Sequence, residues 1–166
     1  IILKSLLLPK YKSKIIADIG CGEAHIAKKL VPMGYEVYSY DLVSMNKYVT
    51  VADMKNLPLK DKECDIGIFC LSLMNKNFIP FVVEGNRILK INGKLLVAEI
   101  TSRIVDMNKF INIFEKYGFE MIKKRNIHDY FELITFKKIK DTKITKNDEE
   151  LENTYDILKP CLYKKR

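Results

Sequence analysis

The sequence predicts an α/β fold on a mainly parallel, doubly wound sheet of seven strands, the last of them antiparallel. Three observations carry that expectation. Apolar runs of strand length alternate with segments of helical periodicity along most of the 166 residues, the pattern of repeated strand–helix–strand units. Residues 65–73 are nearly continuous in apolar character after Asp65, as in a strand covered on both faces. The apolar run Ile15–Ile19 ends in Gly20-Cys21-Gly22, and a helical pattern follows. Such a turn lets a backbone approach a nucleotide closely.

The elements follow in order. Residues 1–8 are apolar and read as a helix remnant covering the sheet, within an N-terminal stretch of residues 1–14. After the first strand, residues 24–33 place Ile26, Ala27 and Leu30 at helical spacing, and Gly34 supplies the stop. Residues 36–40 form a second strand ending at Asp41, and residues 49–52 a short third ending at Asp53. The fourth strand is the run at 65–73. Residues 78–90 are helical in spacing, and Asn92-Gly93 turns the chain into a fifth strand at 94–100. A helix over 107–117 stops at Gly118, and residues 119–124 and 130–137 close the sheet as an antiparallel pair. Residues 138–154 mix lysines, acids and threonines and read as a flexible surface insertion. Residues 155–166 form a basic tail whose apolar part docks back. The whole of 1–166 is read as one domain.

Composition sets bounds on function. The chain is 48% hydrophobic and 30% charged, ordinary for a globular protein, and no run approaches a membrane span. A net charge of +8 favours an anionic partner such as nucleic acid, although the basic residues are spread along the chain. A chain beginning with Ile1 is read as part of something longer. The four cysteines, at 21, 64, 70 and 161, form no CxxC pair, and His25 and His128 complete no metal spacing. No metal is expected, and free thiols fit a reducing compartment.

The glycine turn narrows the ligand. A dinucleotide fingerprint would place a third glycine where His25 stands, and Glu23 at the helix start would repel a pyrophosphate. A nucleoside without phosphates fits better, and S-adenosylmethionine is the commonest such ligand. Gly20 and Gly22 would lie against it. Asp41 stands at the second strand end, where a carboxylate can accept from both ribose hydroxyls; a solvated loop aspartate is the bland alternative. Asp53 could accept from an adenine amino group while Met54 packs on the ring. Asp18, inside an apolar strand, needs hydrogen bonds to offset its burial, and the turn amides, or water near the amino-acid part of the ligand, are its expected donors. Cys70 ends the fourth strand. Phe69 precedes it where pyrimidine C5 methyltransferases carry proline, and no basic partner is evident to lower its pKa. It is therefore read as lining the pocket and not as a nucleophile. No catalytic acid or base stands out; His25 and His128 read as surface or packing residues.

With these residues in hand, the chain resembles the ribosomal RNA-processing protein 8 family. The matching segments are Ala17-Asp18-Ile19-Gly20-Cys21-Gly22, Tyr40-Asp41-Leu42, Val49-Thr50-Val51-Ala52-Asp53-Met54, Phe69-Cys70-Leu71-Ser72-Leu73-Met74, Asn86-Arg87-Ile88-Leu89-Lys90, Val97-Ala98-Glu99 with Ser102-Arg103, and Pro160-Cys161-Leu162-Tyr163-Lys164-Lys165-Arg166. The resemblance implies a Rossmann-like class I methyltransferase fold, S-adenosylmethionine as cofactor, with S-adenosylhomocysteine as product, and N1-methylation of an adenosine in large-subunit ribosomal RNA. It implies cofactor contacts at Gly20, Asp41, Asp53, Met54 and Cys70, a nuclear and nucleolar location, and ribosomal RNA as partner. Adenine N1 offers a lone pair in the ring plane and has no proton to remove, so alignment suffices and no strong base is required. The base must be unpaired, and Arg103 with Lys164-Lys165-Arg166 are candidates to hold phosphates. Two other readings stand beside this one: a cofactor-binding module of a chromatin-silencing complex, and a small-molecule methyltransferase. A monomer is expected.

Overall fold

The computed structural model describes residues 2–75, 77–143, 154 and 156–159. Seven strands form one sheet in the order β3-β2-β1-β4-β5-β7-β6. The strands are β1 (Ile15–Ile19), β2 (Glu36–Asp41), β3 (Val49–Val51), β4 (Cys64–Cys70), β5 (Leu89–Ile100), β6 (Phe119–Ile127) and β7 (Phe131–Lys138). The first five pair in parallel, and β7 lies antiparallel to both β5 and β6. The expected fold class is the observed one. The chain starts at β1 in mid-sheet, winds outward to β3, then returns across β1 to β4. That reversal puts the ends of β1 and β4 side by side, where ligands bind on such sheets.

Helices cover both faces. On one face, α3 (Ile79–Ile88) and α4 (Met107–Lys116) bury an aromatic core. Phe114 stacks on Phe136 of β7 with ring centroids 4.4 Å apart, and Phe110 and Phe119 join them. On the other face, α1 (Ile2–Leu6) and α2 (His25–Leu30) pack on Ile16, Ile66, Ile68 and Leu133. Ile2 and Leu6 of the apolar stretch at the start of the chain thus lie against this face of the sheet. The turn at Gly34 has φ +83°, so a residue with free access to the left-handed region stops the helical segment there.

Two boundaries differ from the expectation. Asn92-Gly93 does not begin β5. The strand starts at Leu89, directly after α3, and passes Asn92 at φ +66° through an irregularity in its pairing with β4. A side chain at Gly93 would stand 2.8 Å from the Lys90 carbonyl oxygen, so only glycine fits this bend. Lys138 does not open a flexible insertion. It ends β7, is fully buried, and donates to the carbonyls of Asn86 and Leu89 at 2.7 and 2.8 Å. A buried ammonium needs such partners, and Asp141 supplies the countercharge at 2.8 Å. Residues 144–153 lie outside the described residues.

Of the tail, residues 156–159 lie against the domain. Leu158 is buried and bridges Ile104, and the Lys159 amide donates to the Arg103 carbonyl at 2.7 Å. Residues 160–166, with Cys161 and the final basic cluster, lie outside the described residues.

Candidate functional site

Gly20, with φ +72°, carries the chain out of β1. A Cβ there would collide with Ser72 and stand 2.8 Å from Met54 Sδ. Glycine therefore lets the end of β1 press against the loop that follows β4, and the two together form a floor. Three successive amides of the turn are engaged within the protein. Gly20 and Cys21 donate to the Tyr40 carbonyl at 2.8 and 2.9 Å, and Gly22 donates to Asp41 Oδ2 at 2.8 Å. None of these three remains free to cradle a phosphate. Asp18 does not receive them, the first of its two expected kinds of donor, because β2 runs parallel beside β1 and brings Tyr40 and Asp41 to the turn first.

A cleft of about 410 Å³ opens over this floor. Gly20, Gly22, Asp41, Met54 and Cys70 all line it. Five of the six residues proposed from sequence as cofactor contacts thus meet, from three strand ends and the turn after β3. Asp53 stands outside the lining. β3 stops at Val51, so Asp53 falls in the following turn, where it is exposed and accepts the Lys55 amide at 2.9 Å. Sequence reasoning also passed over Ser72. It is buried, its hydroxyl has no hydrogen-bond partner among the described residues, and it faces the cleft. A lone serine inside the apolar run 65–73 was the available signal.

The electrostatics of the cleft are acidic. Among the described residues no lysine or arginine lines it. Asp18, 3% exposed, lies beneath, and burial together with the nearby Asp41 carboxylate pushes it from 3.8 up to about 7. Burial and the same two carboxylates push the Cys21 thiol up to about 12. Cys70 also sits above its ordinary value, through desolvation by the surrounding protein and then the charges of Asp18 and Glu99. Its solvent-facing position at the end of β4 does not make it a thiolate, so the sequence reading of a pocket-lining cysteine fits. The cleft suits a neutral or cationic nucleoside and disfavours a phosphate. A sulfonium nucleoside meets these conditions, since Asp41 has lone pairs to spare for ribose hydroxyls and Ser72 an unused hydroxyl.

Arg103 is not free to hold a phosphate. It is 7% exposed, and each of its three guanidinium nitrogens donates to a protein acceptor. It donates to Glu99 Oε2 at 2.5 Å, to the Leu73 carbonyl at 3.0 Å and to the Lys159 carbonyl at 2.9 Å. The sequence shows its charge but not its burial; the spacing of four from Glu99 was the signal. Leu71, beside the cleft, adopts φ +56°, a conformation uncommon for a branched side chain.

A family model described as "Hypothetical methyltransferase" matches residues 1–166. "Ribosomal RNA-processing protein 8" of Dictyostelium discoideum is 44% identical over 162 residues, covering 92% of this chain and 41% of that protein. The "25S rRNA (adenine(645)-N(1))-methyltransferase" of Schizosaccharomyces pombe is 41% identical over 160 residues, covering 95% of this chain and 48% of that protein. The chain thus spans about half the length of these relatives or less. Among solved structures, an S-adenosylmethionine-dependent methyltransferase from Mesorhizobium loti superposes with a TM-score of 0.69 at 13% identity, over 82% of this chain and 96% of that one. At that identity the likeness concerns the fold.

Proposed function

The chain belongs to that methyltransferase family, and on this premise we propose that it binds S-adenosylmethionine in the cleft and that the natural full-length protein methylates N1 of an adenosine in large-subunit ribosomal RNA. The carrying observation is the cleft itself: a glycine turn with its amides engaged, the Asp41 carboxylate at the end of β2, and no basic residue in the lining among the described residues. The RNA substrate is supported by the names of the relatives at 36–44% identity. Ribosomal RNA is then the partner and the nucleolus the place of action.

The residues divide the work. Asp41 keeps its bond to Gly22 and accepts ribose hydroxyls with its remaining lone pairs. Met54, against Gly20, covers one face of the adenine. Ser72 donates or accepts at the inner end of the cleft. Asp41 places carboxylate oxygens in the lining, where they favour a positively charged ligand. When bound, S-adenosylmethionine supplies an electrophilic methyl group on sulfur. The acceptor nitrogen attacks with its own lone pair, so the chain needs to supply position and a dry wall, not a base. Cys70 and Leu71 form that wall.

The test is transfer. The natural full-length protein is incubated with labelled S-adenosylmethionine and large-subunit RNA from cells lacking the enzyme. Labelled 1-methyladenosine at one site is the expected product. Cofactor binding without transfer to RNA would instead favour the chromatin-associated module. For the cleft, Asp41→Ala should weaken S-adenosylmethionine binding about tenfold or more, as for a hydrogen bond to a charged group, with cooperative unfolding retained. Unchanged affinity by calorimetry would remove Asp41 from the site.

A further inference from the structure

Three hollows form a continuous path on the face of the sheet that carries α1. The cofactor cleft shares Cys70 and Leu71 with an apolar pocket of about 320 Å³. That pocket, walled by Ala98, Ile127 and Phe131, shares Ile2 and Leu133 with a groove of similar volume. The groove is rimmed by Lys94, Lys123 and Arg125. Among the described residues no carboxylate lines either hollow.

The cations reach this face through an irregularity in β6. Phe119 and Met121 face the aromatic core, and Met121 pairs with Phe136. Strict alternation would put residues 123, 125 and 127 on that same side. The pairing shifts between Met121 and Lys123, so Lys123 pairs with Thr135, Arg125 with Leu133 and Ile127 with Phe131. The extra residue turns all three onto the face of α1, while Lys124 pairs with Ile134 over the aromatic core. Bulges beside active sites re-aim side chains in this way. Lys123, Lys124 and Arg125 are exposed and form no ion pair among the described residues. Charge on an edge strand protects against aggregation from either face, so protection alone does not account for two of these three pointing into one groove.

At the other end of the path, the hairpin between β6 and β7 presents Tyr130 and Phe131, 72% and 38% exposed. An exposed aromatic beside an apolar pocket is a platform for an unpaired base, and cations at regular spacing along a strand suit a phosphate backbone. We propose that a single RNA strand lies along this face, its phosphates on Lys123 and Arg125 and its target base in the pocket against Phe131, across Cys70 and Leu71 from the cofactor cleft. The proposal rests on the methyl-transfer reading above and names the acceptor's side of it.

The experiment uses the natural full-length protein and four measurements: anisotropy with a fluorescein-labelled single-stranded RNA of adenosines and uridines, calorimetry with S-adenosylhomocysteine, transfer to large-subunit RNA, and photocrosslinking with 4-thiouridine RNA. Lys123→Glu with Arg125→Glu should weaken RNA binding about tenfold or more and flatten its log-log salt dependence by about 1.4, two phosphates' worth for a single strand. Cofactor affinity should stay unchanged, which also reports an intact fold. Lys124→Glu, on the opposite face, should have the smaller effect. Phe131→Ala should lower the transfer rate at saturating RNA with RNA affinity nearly kept; Phe131→Leu, which retains apolar volume without the ring, guards against a packing effect and should also lower it. Photocrosslinks from 4-thiouridine RNA should fall on residues 123–131. RNA affinity and salt dependence unmoved by the double reversal, in a wild type that still methylates RNA, would overturn this path and leave the transfer reading standing. Crosslinks confined to other segments would overturn it equally, as when another part of the protein covers this face. A wild type that neither binds nor methylates RNA would sink both.

Discussion

Asp18 is a carboxyl held 3% exposed in mid-sheet, with its pKa pushed from 3.8 to about 7 by burial and by Asp41. The folded chain therefore holds this proton more tightly than the unfolded chain. Its contribution favours folding at low pH and is lost as the pH rises from about 4 through about 7. The melting temperature of the wild type should fall across that window relative to Asp18→Asn, which cannot ionise. A constant difference between the two from pH 4 to pH 8 would contradict the buried, protonated state. At this scale the sequence was informative where backbone geometry dictates residue type. Gly20 and Asp41 were legible because a turn and a strand end restrict what can stand there. The exposure of Arg103 and the end of β3 before Asp53 were not legible, because they depend on what folds over Arg103 and on where β3 stops, neither of which is local.

Among the elements, α4 begins at a cap the sequence supplies. Asp106 has extended φ and ψ, and its side chain accepts the Lys109 amide at 3.0 Å. Removing that acceptor leaves a helix-end donor bonded only to water. Asp106→Ala should cost about 1 kcal/mol in denaturant unfolding, and Asp106→Ser should recover most of it. A loss below a few tenths would show that packing of Phe110 and Phe114 alone sets the start of the helix. Periodicity found the strands and helices because apolar spacing reports which face is buried. It could not find the irregularities in β5 and β6. Met121-Ile122-Lys123-Lys124 carries no alternation from which a phase could be read, and the handover from α3 to β5 without a loop is decided by pairing with β4.

For the molecule as a whole, Arg103 ties distant segments together. Its guanidinium joins Glu99 of β5, the loop after β4 and the carboxy-terminal segment 156–159. Arg103→Ala would strand the nearly inaccessible Glu99 carboxylate, and removal of one partner from a buried pair costs about 3–5 kcal/mol. Limited proteolysis should then cut the segment beyond residue 143 faster, and the melting temperature should drop. Equal cutting rates would mean that Leu158 and its bridge to Ile104 hold the segment unaided. The expectation that this segment docks was legible from its return to apolar character; the place of docking was not, because it depends on a guanidinium whose burial no local pattern announces.

The same guanidinium sets up a reciprocity. The carbonyl it holds belongs to Leu73, flanked by Ser72 and Met74 in the wall of the cleft. The wall and the carboxy-terminal segment are therefore ordered by one group, and whatever steadies one steadies the other to the same extent in free energy. A ligand seated against Ser72 makes the far segment harder to detach, and a protein that grips the segment tightens the cleft without touching it.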